Sequence, residues 1–293
     1  MNEAIEETRL TDEGFWDHFW ASLKVPSRVS SLSCLDRALS CAFLRLVPDG
    51  RGKTLIEIGA APGRWLVFFH EKLGYAVDGV EYVPAACRKT EENLAVCGTN
   101  GRVFQQDFFR NDLPKHSYDV VLSLGFIEHF TDLDPVVAAH IALLKPGGHL
   151  VLGVPNLRGL HGVMERLTDS ETLAAHNVEV MSVPFLTRLA TEHELTPLWV
   201  GYTGGLNPGL LSVADAKAEN NGGFAGELHR LRPGLVRFVL RGLSYIRNRV
   251  TLLDHLNGPN LSNYLLAIYR YTPRSQAKTD ADLEHLTDTD PQP

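Results

Sequence analysis

Acidic residues and glycines recur where predicted strands end, in a pattern that suits the binding of a nucleoside. The stretch Glu57-Ile-Gly-Ala-Ala-Pro-Gly63 follows one apolar run, Glu81 closes a second run and Asp107 follows a third. A carboxylate at Glu81 can accept hydrogen bonds from two ribose hydroxyls at once, and a carboxylate at Asp107 can accept an adenine amino group. Because glycine lets the backbone turn tightly and approach a ligand closely, Gly59 and Gly63 extend this predicted ligand-binding edge.

Each of these signals also has a purely structural explanation when it is taken alone. A tight turn between a strand and a helix explains Gly59 and Gly63 about as well as a ligand does, and Glu81 fits an ordinary loop acid. The loop has neither GxGxxG nor a lysine followed by Ser or Thr, so the dinucleotide fingerprint and the phosphate-binding P-loop both match poorly. A ligand that carries no phosphate needs neither motif.

A fourth segment, residues 118–129, carries the side chains that could act on a second substrate. Its strand ends near Leu124, which places Gly125 beside the first ligand and opens Glu128 and His129 toward an acceptor. His129 is the candidate general base because imidazole titrates near neutrality, and Glu128 is the alternative. A hydrogen-bonded structural histidine explains His129 equally well.

Two phenylalanines follow Asp107 in the sequence. Phe108 or Phe109 is expected to pack on the face of the bound base. For one of the two, a place in the hydrophobic core is the better expectation.

The elements that position these residues alternate between apolar strands and helices. The pattern predicts strands over residues 54–58, 76–81, 102–106, 118–124, 149–154, 198–202 and 263–269. It predicts helices over residues 62–73, over 84–96 with Gly98 as the stop, and over 134–144 with Asp134 as N-cap and Pro135 at N1, followed by a mostly helical stretch over 157–193. Such alternation favours a parallel, doubly wound α/β sheet, which binds ligands at its carboxyl edge.

One domain is expected over residues 11–271, between polar ends at 1–10 and 272–293 that are expected to be disordered. Its cofactor-binding core spans residues 50–156, and the segments 11–49 and 157–260 are expected to shape the substrate side or form a lid. Within residues 11–26, four aromatic side chains share the spacing of one helix face, which covers the cleft or packs in the core: Phe15, Trp16, Phe19 and Trp20.

The segment 228–253 is predicted to be a basic amphipathic helical region, after a flexible Gly/Asn stretch at 220–226. It could serve as a substrate lid, a homodimer face or a peripheral membrane contact. A solvated helix packed on its own domain is the simpler reading.

Composition narrows the function classes. With 293 residues, a net charge of −7 and no apolar run long enough to span a membrane, the chain predicts a soluble cytoplasmic protein that does not bind nucleic acid broadly. The N-terminus lacks the features of a secretory signal. The four cysteines form no CxxC pair, so they predict free thiols and no zinc site.

In this order and spacing, the motifs resemble class I S-adenosylmethionine-dependent methyltransferases over residues 50–156. The glycine loop resembles the family's first motif, Glu81 its ribose-binding acid and Asp107 its adenine-binding acid, while Tyr118-Asp-Val-Val and Ile127-Glu-His129 resemble its fourth motif. Ala61 departs from the glycine common in the first motif. The resemblance implies a Rossmann-like sheet of seven strands with the last strand reversed, an N-terminal helix, and a helical insertion before the last strand.

The resemblance also implies S-adenosylmethionine as cofactor and assigns residues to it. The cofactor-binding set is Glu57, Gly59, Ala60, Ala61, Gly63, Glu81, Tyr82, Asp107, Phe108, Leu124 and Gly125, and the catalytic set is His129 and Glu128. The Glu-His pair is similar to that of ubiquinone-pathway O-methyltransferases and small-RNA 2′-O-methyltransferases, in which nearby side chains bind a metal. Two candidate ligands are too few to predict a metal here.

The expected activity is methylation, favoured at oxygen, of a small molecule or of a glycan- or lipid-linked intermediate. The alternatives are an RNA or protein methyltransferase and a catalytically inactive partner protein with the same fold. The N-methyltransferase signature Asn/Asp-Pro-Pro-Tyr/Phe is absent after the fourth strand, which disfavours the exocyclic amino groups of bases.

Overall fold

A mixed sheet of seven strands organises the part of the chain that the computed structural model describes, which is residues 8–20, 24–110, 112–168, 173–205, 242, 245–246 and 250–273. The strand order is β3-β2-β1-β4-β5-β7-β6. The strands are β1 (Thr54–Ile58), β2 (Ala76–Glu81), β3 (Gly101–Gln105), β4 (Tyr118–Leu124), β5 (Leu144–Pro155), β6 (Leu195–Thr203) and β7 (Tyr264–Tyr271). The predicted bounds of β1, β2 and β4 are confirmed, because apolar runs between turn residues define all three.

The first five strands are parallel, and β7 runs antiparallel to both β5 and β6. This confirms the doubly wound α/β sheet with a reversed last strand. Because β7 is reversed, its first residue, Tyr264, pairs with the last residue of β5, Pro155. The carboxyl edge of the parallel strands therefore also receives the start of β7.

Helices cover both faces of the sheet. They are α1 (Glu13–Trp20), α2 (Cys34–Leu46), α3 (Arg64–Phe68), which continues as a π-helical turn over Phe69–Leu73, α4 (Pro84–Cys97), α5 (Asp134–Ile141), α6 (Leu160–Thr168) and α7 (Val183–Glu192). Two buried apolar clusters result, one between the sheet and α2, α3 and α4, the other between the sheet and α5 and α7. In β4, Val120, Val121 and Leu122 are fully buried, which confirms that this strand is covered on both faces.

The helix predicted over 134–144 begins at Asp134 as expected, but its predicted N-cap and its predicted last residue were both wrong. Leu133 is the N-cap, so Asp134 is already helical, and the helix ends at Ile141. Leu144 instead begins β5 and pairs with Tyr118, and the register then shifts so that His149 meets Val120. The segment 145–148, Lys-Pro-Gly-Gly, has a composition typical of a turn. It is instead an irregular part of β5, because backbone pairing with β4 outweighs its turn-forming residues.

Other boundaries moved by smaller amounts. The strand predicted over 102–106 begins and ends one residue earlier, and the strands predicted over 198–202 and 263–269 extend to 195–203 and 264–271. The larger difference is at the N-terminus. Residues 8–10, expected to be disordered, pair with the chain at Phe130, because their backbone finds hydrogen-bonding partners that composition does not reveal.

Several predictions concern residues outside the described ranges. These are the flexible stretch 220–226, most of the basic segment 228–253, and the disordered ends at 1–7 and 274–293. Among the described residues, no helix combines the length and apolar character that crossing a membrane requires.

Asp119 ties three strands together at the amino edge of the sheet. Its carboxylate accepts hydrogen bonds from the Thr54 backbone N–H at 2.9 Å, the Thr54 hydroxyl at 3.1 Å and the Lys145 ammonium at 2.7 Å. Burial raises the pKa of Asp119, but these donors outweigh burial and hold the pKa below its usual value. The charged form is therefore the one that stabilises the fold.

We expect Asp119→Ala to lower the free energy of unfolding by roughly 1–3 kcal/mol, because it removes a charge-assisted set of hydrogen bonds. The difference from the parent should shrink as the pH falls through the lowered pKa, since protonation of Asp119 has the same effect. Urea denaturation at pH 7 and below pH 4 measures both. Asp49→Ala, which breaks an exposed pair with Arg51, should cost much less than Asp119→Ala, because solvent screens an exposed ion pair; equal losses would contradict the argument.

Candidate active site

The loop after β1 is held in a conformation that requires glycine. Gly59 and Gly63 have φ angles of 70° and 80°, a region that other residues adopt only with strain. The backbone N–H groups of Gly59 and Ala60 both donate to the Val80 carbonyl, at 3.0 and 3.1 Å. A Cβ on Gly63 would lie 2.9 Å from the Thr90 methyl, so the loop lies flat against β2 and α4.

Glu81 ends β2 as a buried carboxylate that is held by backbone groups. Its Oε1 accepts the Val83 N–H at 3.1 Å. Burial raises its pKa, and backbone hydrogen bonds from Val83, Ala61 and Tyr82 oppose that rise. The structure therefore brings the predicted ribose-binding acid next to Ala61 of the glycine loop and next to Tyr82.

Asp107 has a partner that sequence reasoning missed. Nη2 of Arg9 lies 3.2 and 3.1 Å from the two carboxylate oxygens, and the Phe109 N–H donates to Oδ1 at 2.9 Å. The Arg9 guanidinium also lies over three rings, at 5.1 Å from the centroid of Tyr82, 5.7 Å from Phe109 and 5.9 Å from Phe130. No motif spacing signals this contact, because 98 residues separate the two partners.

The two phenylalanines after Asp107 divide between the core and the site. Phe108 is buried and packs edge-on against Phe126 and His140. Phe109 is half-buried and faces Arg9. Of the pair, Phe109 therefore faces the expected base position, whereas Phe108, which was assigned to the cofactor, belongs to the core.

The end of β4 carries Glu128 into the same region. Gly125 has a φ of 77°, and a Cβ placed on it would lie 3.6 Å from Oε1 of Glu128. Leu124 and Gly125 are half-buried beside this carboxylate, which is itself buried in the 3₁₀ turn Ile127–His129. Burial raises the pKa of Glu128 to about 8, so this carboxyl group is mostly protonated at neutral pH while no charged ligand lies beside it.

The sequence predicted that His129 titrates near neutrality, but its pKa lies well below that range. Its Nδ1 lies 2.8 Å from the Ala175 carbonyl oxygen. Since a carbonyl only accepts, Nδ1 carries the hydrogen and Nε2 keeps its lone pair. Burial, followed by the electrostatic effect of His176, lowers the pKa of His129 to about 3 against that hydrogen bond. The imidazole is neutral at physiological pH, and Nε2 lies 4.0 Å from Oε1 of Glu128.

His176 completes a group that sequence spacing did not reveal. One ligand atom from each of Glu128, His129 and His176 lies within 4.8 Å of the others. Neutral imidazole and carboxylate are ligands for zinc, iron and related divalent ions, so these three could hold a metal. His176 lies in the stretch predicted to be mostly helical, where nothing marks one histidine as functional.

Of the eleven buried side-chain polar atoms without a hydrogen-bond partner among the described residues, four lie at this carboxyl edge. They are Oε2 of Glu57, the Tyr82 hydroxyl, Oγ of Ser123 and Oε2 of Glu128. Burial raises the pKa of Glu57 to about 8, against the opposing charge of Arg64 and a backbone hydrogen bond at Leu66. Because buried polar groups are normally satisfied, this set indicates a site built for a polar ligand.

The N-terminal residues 8–20, which we call the strap, cover this region. The Leu10 N–H donates to the His129 carbonyl at 2.8 Å, and the Thr131 N–H donates to the Thr8 carbonyl at 2.9 Å. The Trp16 ring meets the His129 ring edge-on, with centroids 5.0 Å apart. Trp16 of the predicted aromatic helix therefore lies against His129, and both covering of the cleft and packing in the core remain predictions for this helix.

Comparison with known proteins gives consistent matches. The family profile described as a methyltransferase domain matches residues 33–198. Phosphoethanolamine N-methyltransferase 1 of Triticum aestivum is 23% identical over 159 residues, which are 50% of this chain and 30% of that protein. Norajmaline N-methyltransferase of Rauvolfia serpentina is 23% identical over 212 residues, 68% of this chain and 73% of that protein. This chain thus matches under a third of the wheat protein and about three quarters of the Rauvolfia protein.

Solved structures share the fold at low identity. A putative sarcosine dimethylglycine methyltransferase from Galdieria sulphuraria has a TM-score of 0.54 and 17% identity, and the match covers 89% of this chain and 98% of that one. A phosphoethanolamine N-methyltransferase 2 from Haemonchus contortus, solved with phosphomonomethylethanolamine and S-adenosylhomocysteine, has a TM-score of 0.53 and 15% identity over 80% and 52% of the two chains.

The raised pKa of Glu57 makes stability depend on pH. Its pKa rises from about 4.5 to about 8 on folding, so its stabilising contribution is complete below the unfolded pKa and is lost as the pH rises toward 8. We expect the melting temperature to fall between pH 5 and pH 9, and to fall less in Glu57→Gln, which carries no charge. Glu91→Gln, an exposed control on α4, should show the same dependence of melting temperature on pH as the parent. Identical pH profiles for all three proteins would contradict the predicted effect of Glu57.

Proposed function

Since the chain belongs to the methyltransferase domain family, we propose that it transfers the methyl group of S-adenosylmethionine to a small-molecule acceptor, at an oxygen atom. The cluster of buried, unpartnered polar atoms at the carboxyl edge carries this proposal, together with Glu81 and Asp107 beside it. The acceptor class includes free metabolites and glycan- or lipid-linked intermediates. The relatives named as N-methyltransferases of norajmaline and phosphoethanolamine support a small acceptor.

Each part of the edge suits one part of the cofactor. Glu81 would accept the two ribose hydroxyls, Asp107 the adenine amino group, and Phe109 would face the base. The loop Gly59–Gly63, with Ala60 and Ala61 between, would leave room for the methionine end, and Leu124 and Gly125 would lie along the other side. Burial raises the pKa of Glu57 and of Glu128 to about 8, and a bound positive charge would lower both values and stabilise the ionised carboxylates.

When it is bound, S-adenosylmethionine supplies a methyl carbon activated by positively charged sulfur. The protein must align the acceptor oxygen with that carbon and exclude water. The burial of Glu128 and His129 beneath the strap provides the dry environment. As the oxygen–carbon bond forms, the carbon–sulfur bond would break with its electron pair left on sulfur, which gives S-adenosylhomocysteine. The acceptor hydroxyl would lose its proton to either the ionised Glu128 carboxylate or Nε2 of His129.

The position of His176 favours a second candidate for this deprotonation. A divalent ion held by Glu128, His129 and His176 would lower the pKa of a bound hydroxyl. Two observations fit such a group: Oε2 of Glu128 has no partner among the described residues, and His129 is neutral with its lone pair at Nε2.

Other expectations about this protein remain predictions. They are the cytoplasmic location, the absence of nucleic-acid binding, and a homodimer face or peripheral membrane contact through residues 228–253, most of which lie outside the described ranges.

We expect Glu81→Ala to weaken binding of S-adenosylhomocysteine by about 1.5–3 kcal/mol, or roughly 10- to 150-fold, because a charged hydrogen-bond acceptor is lost. Titration calorimetry with S-adenosylmethionine and S-adenosylhomocysteine measures it, and melting temperature reports folding. Glu91→Ala, also an acid but exposed on α4, should bind like the parent. Absence of binding by the parent would end the proposal, while equal affinity in Glu81→Ala would leave Glu81 as a loop acid.

We expect His129→Ala to lower turnover by roughly 10²–10⁴-fold if His129 is the base, with cofactor affinity nearly unchanged. The acceptor would come from a screen of metabolites with a methyl-labelled donor. Glu128→Gln, a neutral substitution of similar shape, tests the carboxylate in the same way. His176→Ala separates the metal candidate: a matching loss of turnover, with loss of bound metal by mass spectrometry, supports it.

A stable and fully active His129→Ala enzyme would exclude His129 as base. A variant that loses stability and cofactor affinity together would instead assign His129 a structural role, through its contacts with Ala175 and Trp16.

A further inference from the structure

Arg9 brings a charged, planar group to the acid assigned to the adenine end. Its guanidinium donates to both oxygens of Asp107 and lies near the rings of Tyr82, Phe109 and Phe130. Both side chains of the ion pair are mostly buried, at 18% exposed for Arg9 and 24% for Asp107. A half-exposed ion pair on the surface would contribute little to stability. Burial between aromatic rings strengthens the contact between Arg9 and Asp107.

The Arg9 guanidinium shares with adenine the features that proteins use to recognise that base. A guanidinium is planar, stacks on aromatic faces and donates N–H groups to a carboxylate. The 6-amino edge of adenine offers the same planarity, the same stacking and the same N–H donors. Asp107 also already accepts the Phe109 N–H, so the amino group of an incoming base would meet a carboxylate whose two oxygens are both engaged.

The strap to which Arg9 belongs lies against Tyr82 and His129, which follow Glu81 and Glu128 in the chain. In the arrangement observed, Glu57, Glu81 and Glu128 are at most 5% exposed. A ligand that is to contact these carboxylates must therefore move part of their cover. The attachments of the strap include backbone hydrogen bonds to residues 129–131, the Trp16–His129 contact and contacts between its helix and α4.

We propose that Arg9 is a latch: by occupying Asp107 it holds the strap closed over the site, and the adenine of the cofactor must displace it to bind. This inference rests on the proposed function, because it takes Asp107 as the acid that receives the adenine amino group. Apparent affinity equals intrinsic affinity multiplied by the fraction of molecules that can bind. Breaking the latch raises that fraction, so the cofactor should bind both faster and more tightly.

The experiment compares Arg9→Ala with the parent protein in full length, with S-adenosylhomocysteine as the ligand. Stopped-flow tryptophan fluorescence follows association, and Trp16 and Trp20 in the strap contribute to the signal. Calorimetry gives the affinity. We expect association to be about tenfold faster and binding about tenfold tighter in Arg9→Ala, and Arg9→Lys, which keeps the charge but not the planar fork, to lie between.

Arg28→Ala is the matched control, because Arg28 forms an exposed ion pair with Glu71 outside the site, and it should bind like the parent. Melting temperatures of all variants establish that they are folded. If the parent binds S-adenosylhomocysteine while Arg9→Ala binds it no faster and no more tightly, the latch is wrong and the proposed function stands. Weaker binding in Arg9→Ala would also overturn the latch, and would make Arg9 a cofactor-binding residue. Failure of every protein to bind would overturn the proposed function itself.

Discussion

The register of the parallel strands determines where the functional groups of this protein lie. Ile58 at the end of β1 stands beside Val80 of β2 on one side and Ser123 of β4 on the other. β1, β2 and β4 therefore end at the same edge of the sheet, and the loops that follow them lie close together. For this reason, acidic residues more than twenty positions apart in sequence lie near one another. Because β7 runs antiparallel, its first residue also lies at this edge.

Burial gives this edge its electrostatic character. Glu57, Glu81 and Glu128 are all nearly inaccessible, and burial raises the pKa of each one. The same burial keeps His129 neutral. Concentrating carboxylates in a dry region costs stability, and such a cost is typical of functional sites, where ligand charge replaces the missing partner. A cationic methyl donor is a ligand of this kind.

The strap gives the site its cover, and it lies outside the residues that define the family. The family profile begins at residue 33, whereas Arg9 and Trp16 approach Asp107 and His129 from residues 8–20. The part of the chain that matches the family profile thus carries the sheet edge, and residues before that part contact Asp107 and His129. Differences between relatives in access and acceptor choice can arise in such segments without any change in the sheet.

Local pattern alone determined much of this protein. Apolar runs between turn residues located β1, β2 and β4. The resemblance of the glycine loop, Glu81 and Asp107 to a known family implied the class I methyltransferase fold, which the family match and the strand order confirm. These features are predictable because strand burial and tight turns depend on residues adjacent in sequence. The same reasoning misplaced the end of the helix after Asp134, since pairing of Leu144 with Tyr118 is not written in the local pattern.

Only the tertiary structure decided how the site is completed. It brought Arg9 to Asp107, placed His176 within reach of Glu128 and His129, and sent Phe108 to the core while Phe109 faced the site. It also moved the pKa of His129 far from neutrality. Each of these outcomes depends on contacts between distant segments and on how much water those contacts exclude. Residue types and spacing fix which groups a chain can offer, but only the packed chain fixes their partners and their charge.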